Sequence, residues 1–219
     1  MLVYLDFLRC GQSHSCGNED QGHLIMLTKI LKKIEGFILF GPGACARKFF
    51  RRRLPDNPDG KVLIHVGCGD LQDKRYINVD SRPGWHIHYV HSIQECAGVF
   101  PPDHADLIYA CHVLEHLPYA DLPATLKGLR RVLKDGGILR LSVPDFDVIV
   151  GMYRERKRIE DIVSPLMGGQ GYPANFHASV FNERYLTESL FKSGFRDVRP
   201  WDPATAAYHD FDDWSGRTI

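Results

Sequence analysis

The chain has 219 residues, of which 44% are hydrophobic and 25% are charged, with 27 Lys and Arg against 27 Asp and Glu. This composition is typical of a folded globular protein and excludes collagen, a disordered chain and a disulfide-rich scaffold. A net charge of zero argues against a dedicated nucleic-acid-binding or anionic-membrane-binding protein. No stretch approaches the ~20 apolar residues of a membrane span. We therefore expect a cytoplasmic protein with reduced cysteines.

Residues 1–60 form a first segment with a charge of its own. Nine basic and six acidic side chains give it a charge of +3, which residues 61–219 balance with −3. Apolar residues recur at helical spacing over Leu27–Ile38 and predict an amphipathic helix. The basic run Arg47–Arg53 surrounds two phenylalanines. Such a run is typical of a solvated helix face whose phenylalanines dock on the main domain, and we favour this interpretation. The alternative is a surface patch that binds phosphate, RNA or a membrane.

Turn-forming residues at 55–60 separate this helical arm from a domain over 61–219 that alternates strand and helix signals. Five runs predict strands, at Lys61–Val66, Tyr76–Val79, His86–Val90, Asp106–Cys111 and Gly137–Val143. Helices are predicted over Leu122–Leu133 and Glu183–Lys192, and a further strand over Phe195–Arg199. This order predicts an α/β fold, a Rossmann-like and mostly parallel sheet with helices on both faces.

A glycine turn follows the first predicted strand of this domain. Gly67 and Gly69 flank Cys68, and a backbone without Cβ atoms can turn tightly there and approach a ligand closely. Asp80 ends the next strand, where its carboxylate can accept hydrogen bonds from the two hydroxyls of a ribose. Ligands of open α/β sheets bind beyond the carboxyl ends of the strands. Together these features predict a site for an adenosine-containing ligand.

The spacing of these residues distinguishes between two such ligands. A dinucleotide fingerprint has a third glycine and an acid about 20 residues further on. Here Gln72 stands at the third glycine position, and Asp80 lies eleven residues after Gly69. A pyrophosphate also favours a helix N-terminus, and Asp70 would repel it. A cationic sulfonium meets neither objection, so the residues favour S-adenosylmethionine over NAD.

Four motifs that occur in order resemble those of class I S-adenosylmethionine-dependent methyltransferases. They are Val62–Gly69, Ile77–Asp80, Ala110–Leu117 and Leu133–Gly137. Within that superfamily the chain resembles the small predicted methyltransferases of the methyltransferase type 11-like group, over roughly residues 60–215. Ser142–Asp145 and His177 are also similar to that group. The resemblance implies methyl transfer by in-line displacement to a small-molecule or glycan-type acceptor, with oxygen as the expected target.

The resemblance also implies roles for single residues. The cofactor-binding set is His65, Val66, Gly67, Cys68 and Gly69 at the amino-acid end, Asp80 at the ribose, Ser92 and Ile93 at the adenine, and His112 at the methyl group. A hydroxyl nucleophile benefits from a general base. The candidate bases are His112, His116, Asp145 and His177. We expect His112 to line the pocket.

Each of the other candidate bases also has a structural interpretation. His116 could hydrogen-bond a loop, His177 could hold the Gly168–Asn175 loop, and Asp145 could cap the helix that follows it. The acceptor site could involve the Gly168–Tyr172 loop, Tyr153 and the aromatic tail Trp201–Trp214. These segments could equally form a surface loop and a surface tail.

The sequence departs from the family pattern in several places. His65 stands where many relatives carry an acid or Asn that orients the methionine ammonium, and Ser92 replaces a frequent Asp near the adenine. Only nine residues separate Val66 from Tyr76, whereas a parallel crossover usually takes a dozen or more, so the first helix is expected to shrink to a turn. The last strand is expected to be missing or truncated.

Two other function classes fit some of the same residues. A protein that binds S-adenosylmethionine without turnover would suit the departures at His65 and Ser92. His112–His116 has the HxxEH pattern of a zinc peptidase, with Glu183 or Glu188 as a possible third ligand. That pattern belongs within a helix, and here it follows a buried strand. Another group, Cys10, His14, Cys16 and His23, matches no familiar zinc spacing, so no metal centre is expected.

Overall fold

The computed structural model describes residues 53–213 and 215, together with the backbone of a strand at residues 2–7. The strands are β1 (Leu2–Phe7), β2 (Leu63–Val66), β3 (Tyr76–Asp80), β4 (Tyr89–Val90), β5 (Ala105–Cys111), β6 (Leu133–Val143) and β7 (Val198–Pro200). The helices are α1 (Cys96–Val99), α2 (Leu122–Val132), α3 (Phe146–Arg156), α4 (Val163–Met167) and α5 (Glu183–Lys192). Two 3₁₀ helices, Leu114–His116 and Tyr119–Asp121, connect β5 to α2.

Several predictions for the first segment fall outside the described residues. These are the helix at Leu27–Ile38, most of the basic run Arg47–Arg53, and the Cys and His group at Cys10, His14, Cys16 and His23. The division of the chain into 1–60 and 61–219 stays a prediction, although strand β1, at the start of the first segment, belongs to the sheet of the second. None of the described helices combines the length and the apolar character needed to cross a membrane.

The strands form one sheet in the order β4-β3-β2-β5-β6-β1-β7. Every neighbouring pair in it is parallel. This confirms the predicted Rossmann-like α/β fold. The chain winds outward in opposite directions from β2 and β5, and ligands of such sheets bind at the carboxyl ends near this switch point. The ends of β2, β3 and β5 therefore define where a site is expected.

Strand β1 lies between β6 and β7. It pairs with β6 from Leu2↔Ile138 to Phe7↔Val143, and it pairs with β7 at Val3↔Val198. Within residues 201–213 and 215 the structure has no strand after Pro200. The sheet is nevertheless continuous, because β1 joins β6 to β7.

The observed element ends differ from the predicted ones where a side chain or a turn competes with the sheet. The predicted strand His86–Val90 is reduced to Tyr89–Val90, because the His88 ring nitrogen Nδ1 accepts the Asn78 N–H at 2.9 Å in place of a main-chain bond. Helix α5 has the predicted bounds. Asn182 caps it by accepting the Tyr185 N–H at 2.9 Å, as expected for Asn before a helix.

Within the described residues, helices cover one face of the sheet and the C-terminal tail covers the other, where the sequence predicted helices as well. Side chains of α1, α2 and α5 form one core with alternate residues of the central strands. On the opposite face Leu63, Tyr76, Leu107 and Tyr109 form a second core with Trp201. The Trp201 indole N–H donates to the Leu141 carbonyl at 3.0 Å. The tail is therefore part of the core, and Trp201 is not available to stack on an acceptor.

The connection from β2 to β3 contains turns and no helix, as predicted from its length. Its backbone is held by short-range bonds, Leu71 N–H to the Cys68 carbonyl at 3.0 Å and Tyr76 N–H to the Asp73 carbonyl at 3.3 Å. A crossover helix normally covers a parallel sheet. Here the tail covers the face that such a helix would cover. One contact that holds the tail there is the hydrogen bond from the Tyr76 hydroxyl to the Tyr208 carbonyl at 2.8 Å.

His65 lies within this second core and is only 3% exposed. Its ring centroid lies 4.9 Å from that of Tyr109, 5.8 Å from that of Tyr76 and 6.0 Å from that of Phe211. Burial lowers the pKa of His65 to about 4, although the charges of Asp213 and Asp73 oppose the shift and those of His209 and His86 add to it. His65 is therefore a neutral side chain at physiological pH.

We predict that His65 makes the fold acid-sensitive. The unfolded chain takes up a proton at this side chain below pH 6.5, whereas the folded chain does so only below about pH 4. Stability is therefore lost as the pH falls through this window, by about 2 kcal/mol between pH 7 and pH 5. His65→Phe, which suits the aromatic surroundings, should remove this part of the slope in urea denaturation at several pH values.

Tyr76→Phe is the matched control, because it alters the same aromatic group and removes no side chain that titrates between pH 4 and 6.5. It should lower the free energy of unfolding by the same amount at every pH. An unchanged slope in His65→Phe would contradict the assignment.

Candidate active site

A cavity of about 960 Å³ opens at the carboxyl ends of the central strands. Its turn side consists of residues that follow β2, β3 and β4, namely Gly67–Leu71, Asp80–Arg82 and His91–Gln94. Its histidine side consists of residues that follow β5 and β6 and of the segment before α5, including His112, His116, Pro144, Phe176 and His177. In the sheet, β4, β3 and β2 lie on one side of the switch point and β5 and β6 lie on the other. The turn side and the histidine side of the cavity therefore lie on opposite sides of the switch point.

The glycine turn adopts a backbone conformation that requires glycine. Gly67 has φ +67° and Gly69 has φ +57°, in the left-handed region that other residues rarely occupy. A Cβ atom on Gly67 would lie 2.3 Å from Cγ2 of Val113. Around Gly69 there is more room, since the nearest atom to its Cβ position is a nitrogen of Arg82 at 3.8 Å. Backbone thus lines the cavity at this turn.

The Asp80 carboxylate fastens the turn to the end of β3. Its Oδ2 accepts the Gly69 N–H at 2.9 Å, and its Oδ1 accepts the Arg82 N–H at 2.8 Å. The Arg82 guanidinium lies 3.6 Å from Oδ1. Ionised carboxylates have about four acceptor positions, so each oxygen retains capacity for a ligand hydroxyl. The Asp80 carboxylate therefore stabilises the turn and can also bind a ligand.

The structure brings most of the predicted cofactor-binding residues to the cavity. Those that line it are His65, Gly67, Cys68, Gly69, Asp80, Ser92, Ile93 and His112. Val66 does not, because successive strand residues face opposite sides and its side chain packs under the helices at 1% exposure. Ser92 donates both its backbone N–H and its hydroxyl to Glu95 Oε2, at 2.8 and 3.0 Å, which fixes the loop that follows β4.

His112 and Glu115 form a close pair on the histidine side. His112 Nδ1 donates to Glu115 Oε1 at 2.8 Å, because a carboxylate can only accept. Burial raises the pKa of Glu115, whereas its hydrogen bond to His112 lowers it, and the pKa is lowered overall. His112 has φ +54°, a conformation that is uncommon for a residue other than glycine. The pair thus has a defined proton position.

Of the other three candidate bases, His116 and Asp145 have the structural contacts that the sequence allowed, whereas the His177 ring bonds to α4 and not to the Gly168–Asn175 loop. His116 Nδ1 donates to the Phe176 carbonyl at 3.0 Å, and His177 Nδ1 donates to the Pro165 carbonyl at 3.1 Å. Both rings nevertheless line the cavity, and burial lowers the pKa of His177. Asp145 does not line it. Its Oδ1 caps α3 by accepting the Asp147 N–H at 2.9 Å, and burial raises its pKa.

Two contacts that were not predicted from the sequence connect segments that border the cavity. The Arg82 guanidinium lies 4.7 Å from the centre of the Tyr172 ring, which connects the end of β3 to the segment before α5. Gln170 N–H donates to the Asn175 carbonyl at 2.9 Å and tightens that segment. Of the predicted acceptor-site segments, Tyr172 lines the cavity and Tyr153 does not. No local pattern indicates a contact between residues so far apart in sequence.

The zinc-peptidase interpretation is wrong. The HxxEH residues occupy the end of β5 and a 3₁₀ turn at Leu114–His116, so the two histidines do not share a face of a helix. Glu188 is bound to Arg184 at 2.9 Å on the outside of α5. Neither Glu183 nor Glu188 is among the residues that line the cavity.

A comparison with protein families decides the class. A family model described as a methyltransferase domain matches residues 40–199. The chain belongs to this methyltransferase family. A similar solved structure, a SAM dependent methyltransferase from Archaeoglobus fulgidus, has 19% sequence identity and a TM-score of 0.44, over 63% of this chain and 62% of that one. No curated protein matches the sequence.

The matched family model is that of a methyltransferase domain, as the motifs predicted, and the cofactor predicted with it is S-adenosylmethionine. The cavity lining fits that cofactor. Four carboxylates line it, at Asp70, Asp80, Asp212 and Asp213, and Arg82 is the one Lys or Arg among the described lining residues. An acidic lining suits a sulfonium and an ammonium group. It suits a pyrophosphate poorly, and the Gly67–Arg75 turn offers no helix N-terminus for one.

We predict that Gly67 tolerates substitution less well than Gly69. Both Gly67→Ala and Gly69→Ala place a Cβ at positive φ, which costs about 1–2 kcal/mol. Only Gly67→Ala also forces Val113 to move. Urea denaturation should therefore show a larger loss for Gly67→Ala. The double variant Gly67→Ala/Val113→Ala should lose less than the sum of its two single variants. Equal losses at the two glycines, or strict additivity, would contradict the close contact.

Proposed function

We propose that this methyltransferase transfers the methyl group of S-adenosylmethionine to an oxygen atom of a hydroxylated small molecule or glycan-type acceptor. The observation that carries the proposal is the His112–Glu115 pair. It puts a histidine with a fixed proton position on the wall of the same cavity as the glycine turn. Methyl transfer to a hydroxyl needs a group that takes the hydroxyl proton, and histidine is well suited to this at neutral pH.

The turn side would hold the cofactor. The backbone of Gly67–Gly69 and the neutral ring of His65 would contact its amino-acid end, Asp80 would accept bonds from the ribose hydroxyls, and Ser92 and Ile93 would border the adenine. When bound, S-adenosylmethionine supplies a methyl group on a positively charged sulfur. Hydrogen bonds from Tyr109 and Ser215, and the His209 ring, outweigh burial and hold the pKa of Asp213 well below its usual range. This wall thus stays anionic towards the cofactor's positive charges.

The histidine side would hold the acceptor. Because Glu115 holds the proton of His112 on Nδ1, Nε2 is the ring nitrogen that carries the lone pair. Nε2 is buried, so an acceptor hydroxyl would reach it only after a movement of the ring or of its neighbours. The exposed aromatic rings of Tyr172 and Phe176 are 40% and 48% accessible beside it. Aromatic faces of this kind suit the apolar face of a sugar ring, which supports a glycan-type acceptor.

The proposal is tested by incubating the purified chain with methyl-labelled S-adenosylmethionine and a panel of acceptors. The panel contains mono- and oligosaccharides, sugar nucleotides and small phenols and alcohols, with amines as the comparison group. We expect S-adenosylhomocysteine together with a labelled methyl ether. Label found on nitrogen, or cofactor binding without product from any member of the panel, would contradict oxygen transfer.

With the acceptor in hand, we predict that His112→Asn lowers kcat by about 10²–10⁴. Asparagine tolerates positive φ and can still donate to Glu115, so the fold and the neighbouring carboxylate are preserved while the proton acceptor is lost. The dissociation constant of S-adenosylmethionine should stay within about twofold. His104→Gln, outside the cavity, is the control and should keep full activity. An unchanged kcat in His112→Asn would exclude His112 as the base.

A further inference from the structure

Three potential metal ligands lie together on the histidine side. One ring nitrogen each of His116 and His177 and one carboxylate oxygen of Glu115 are all within 4.8 Å of one another. The two segments that carry them are joined by main-chain bonds, since Ala178 N–H and Ser179 N–H donate to the Glu115 carbonyl at 2.7 and 3.0 Å. The three side chains are therefore held in a fixed arrangement that does not depend on any ligand.

The hydrogen bonds of the two histidines leave the same nitrogen of each ring as the potential ligand. A carbonyl oxygen can only accept, so the bonds to Phe176 and Pro165 require a proton on Nδ1 of both His116 and His177. In the neutral ring Nε2 then carries the lone pair. Metal-binding histidines are oriented in this way, with the second N–H donated to a backbone carbonyl or a carboxylate.

Glu115 provides an independent indication of a missing ligand. Its side chain is 2% exposed. Its Oε1 accepts from His112, but its Oε2 has no hydrogen-bond partner in the part of the chain that the structure describes. A buried carboxylate oxygen without a partner is destabilising and is rare in native structures. A cation at this position would satisfy it.

We propose that Glu115, His116 and His177 bind one divalent transition-metal ion. Two imidazoles and one carboxylate suit ions such as Zn²⁺, Fe²⁺ or Co²⁺, whereas Mg²⁺ and Ca²⁺ prefer oxygen ligands. Three protein ligands leave coordination positions open, as in catalytic metal sites. Both histidines line the cavity, so an acceptor oxygen could occupy an open position. Metal binding itself requires neither the acceptor nor S-adenosylmethionine and goes beyond the function proposed above.

The test is titration of the full chain with ZnCl₂ alone by calorimetry, after treatment with EDTA and dialysis and without cofactor. Substitution by Co²⁺ adds a visible absorption spectrum that reports the coordination number. We expect one saturable site per chain that includes His177. His177→Gln should weaken Zn²⁺ binding at least tenfold and reduce the Co²⁺ spectrum, since even outer contacts of metal sites contribute about 10–100-fold.

His104→Gln is the matched control, because it removes a histidine that packs on Phe100 outside the cavity, and it should bind Zn²⁺ like the unmodified chain. Glu115→Gln, with folding checked by circular dichroism, should weaken binding as His177→Gln does. The absence of saturable binding, or equal affinity in His177→Gln and His104→Gln, would overturn the proposal. Failure of methyl transfer would not affect this result, because no cofactor or acceptor is present.

Discussion

The carboxylate of Asp80 is the constraint on which the cavity depends. It binds the backbone of Gly69 and of Arg82 at the same time, and so it fixes the ends of β2 and β3 relative to each other. A crossover helix would normally stabilise this connection, but here the chain passes from β2 to β3 through turns. The same carboxylate that holds the turn also faces the cavity, so the stability of the site and the recognition of a ligand are coupled at one residue.

The shortened crossover has a second consequence on the face of the sheet that the tail covers. Without the tail, Tyr76, Tyr109 and the ring of His65 would be exposed on this face. The segment from Trp201 to Phe211 packs over them. The tail also brings Asp213 to the cavity, where the Tyr109 hydroxyl donates to its carboxylate. The resemblance implies an acid or Asn at the position of His65. The tail thus adds a carboxylate to a cavity wall to which the strand contributes the neutral ring of His65.

Local patterns in the sequence were sufficient for the parallel α/β class, for α5 and for the glycine turn, because each depends on periodicity or on a conformation that only glycine adopts readily. Strand β1 and its place between β6 and β7 were not predicted. The exclusion of Val66 from the cavity also follows from strand alternation and could have been predicted. Contacts between distant segments could not. The Arg82–Tyr172 contact and the approach of His177 to Glu115 depend on how loops close over the sheet, which no spacing of residues specifies. The Asp145 cap was one of two interpretations that the sequence left open.

We infer that the glycine turn, which Asp80 holds in place, is the binding site of S-adenosylmethionine, with Asp80 at the ribose. Calorimetric titration of Asp80→Ala with this cofactor tests it most directly, with Asp73→Ala as the control, because Asp73 bonds to Arg75 in the same turn and does not line the cavity. We predict a loss of about 1.5–3 kcal/mol in binding free energy for Asp80→Ala and near-normal affinity for Asp73→Ala. Unchanged affinity in a folded Asp80→Ala variant would contradict this inference.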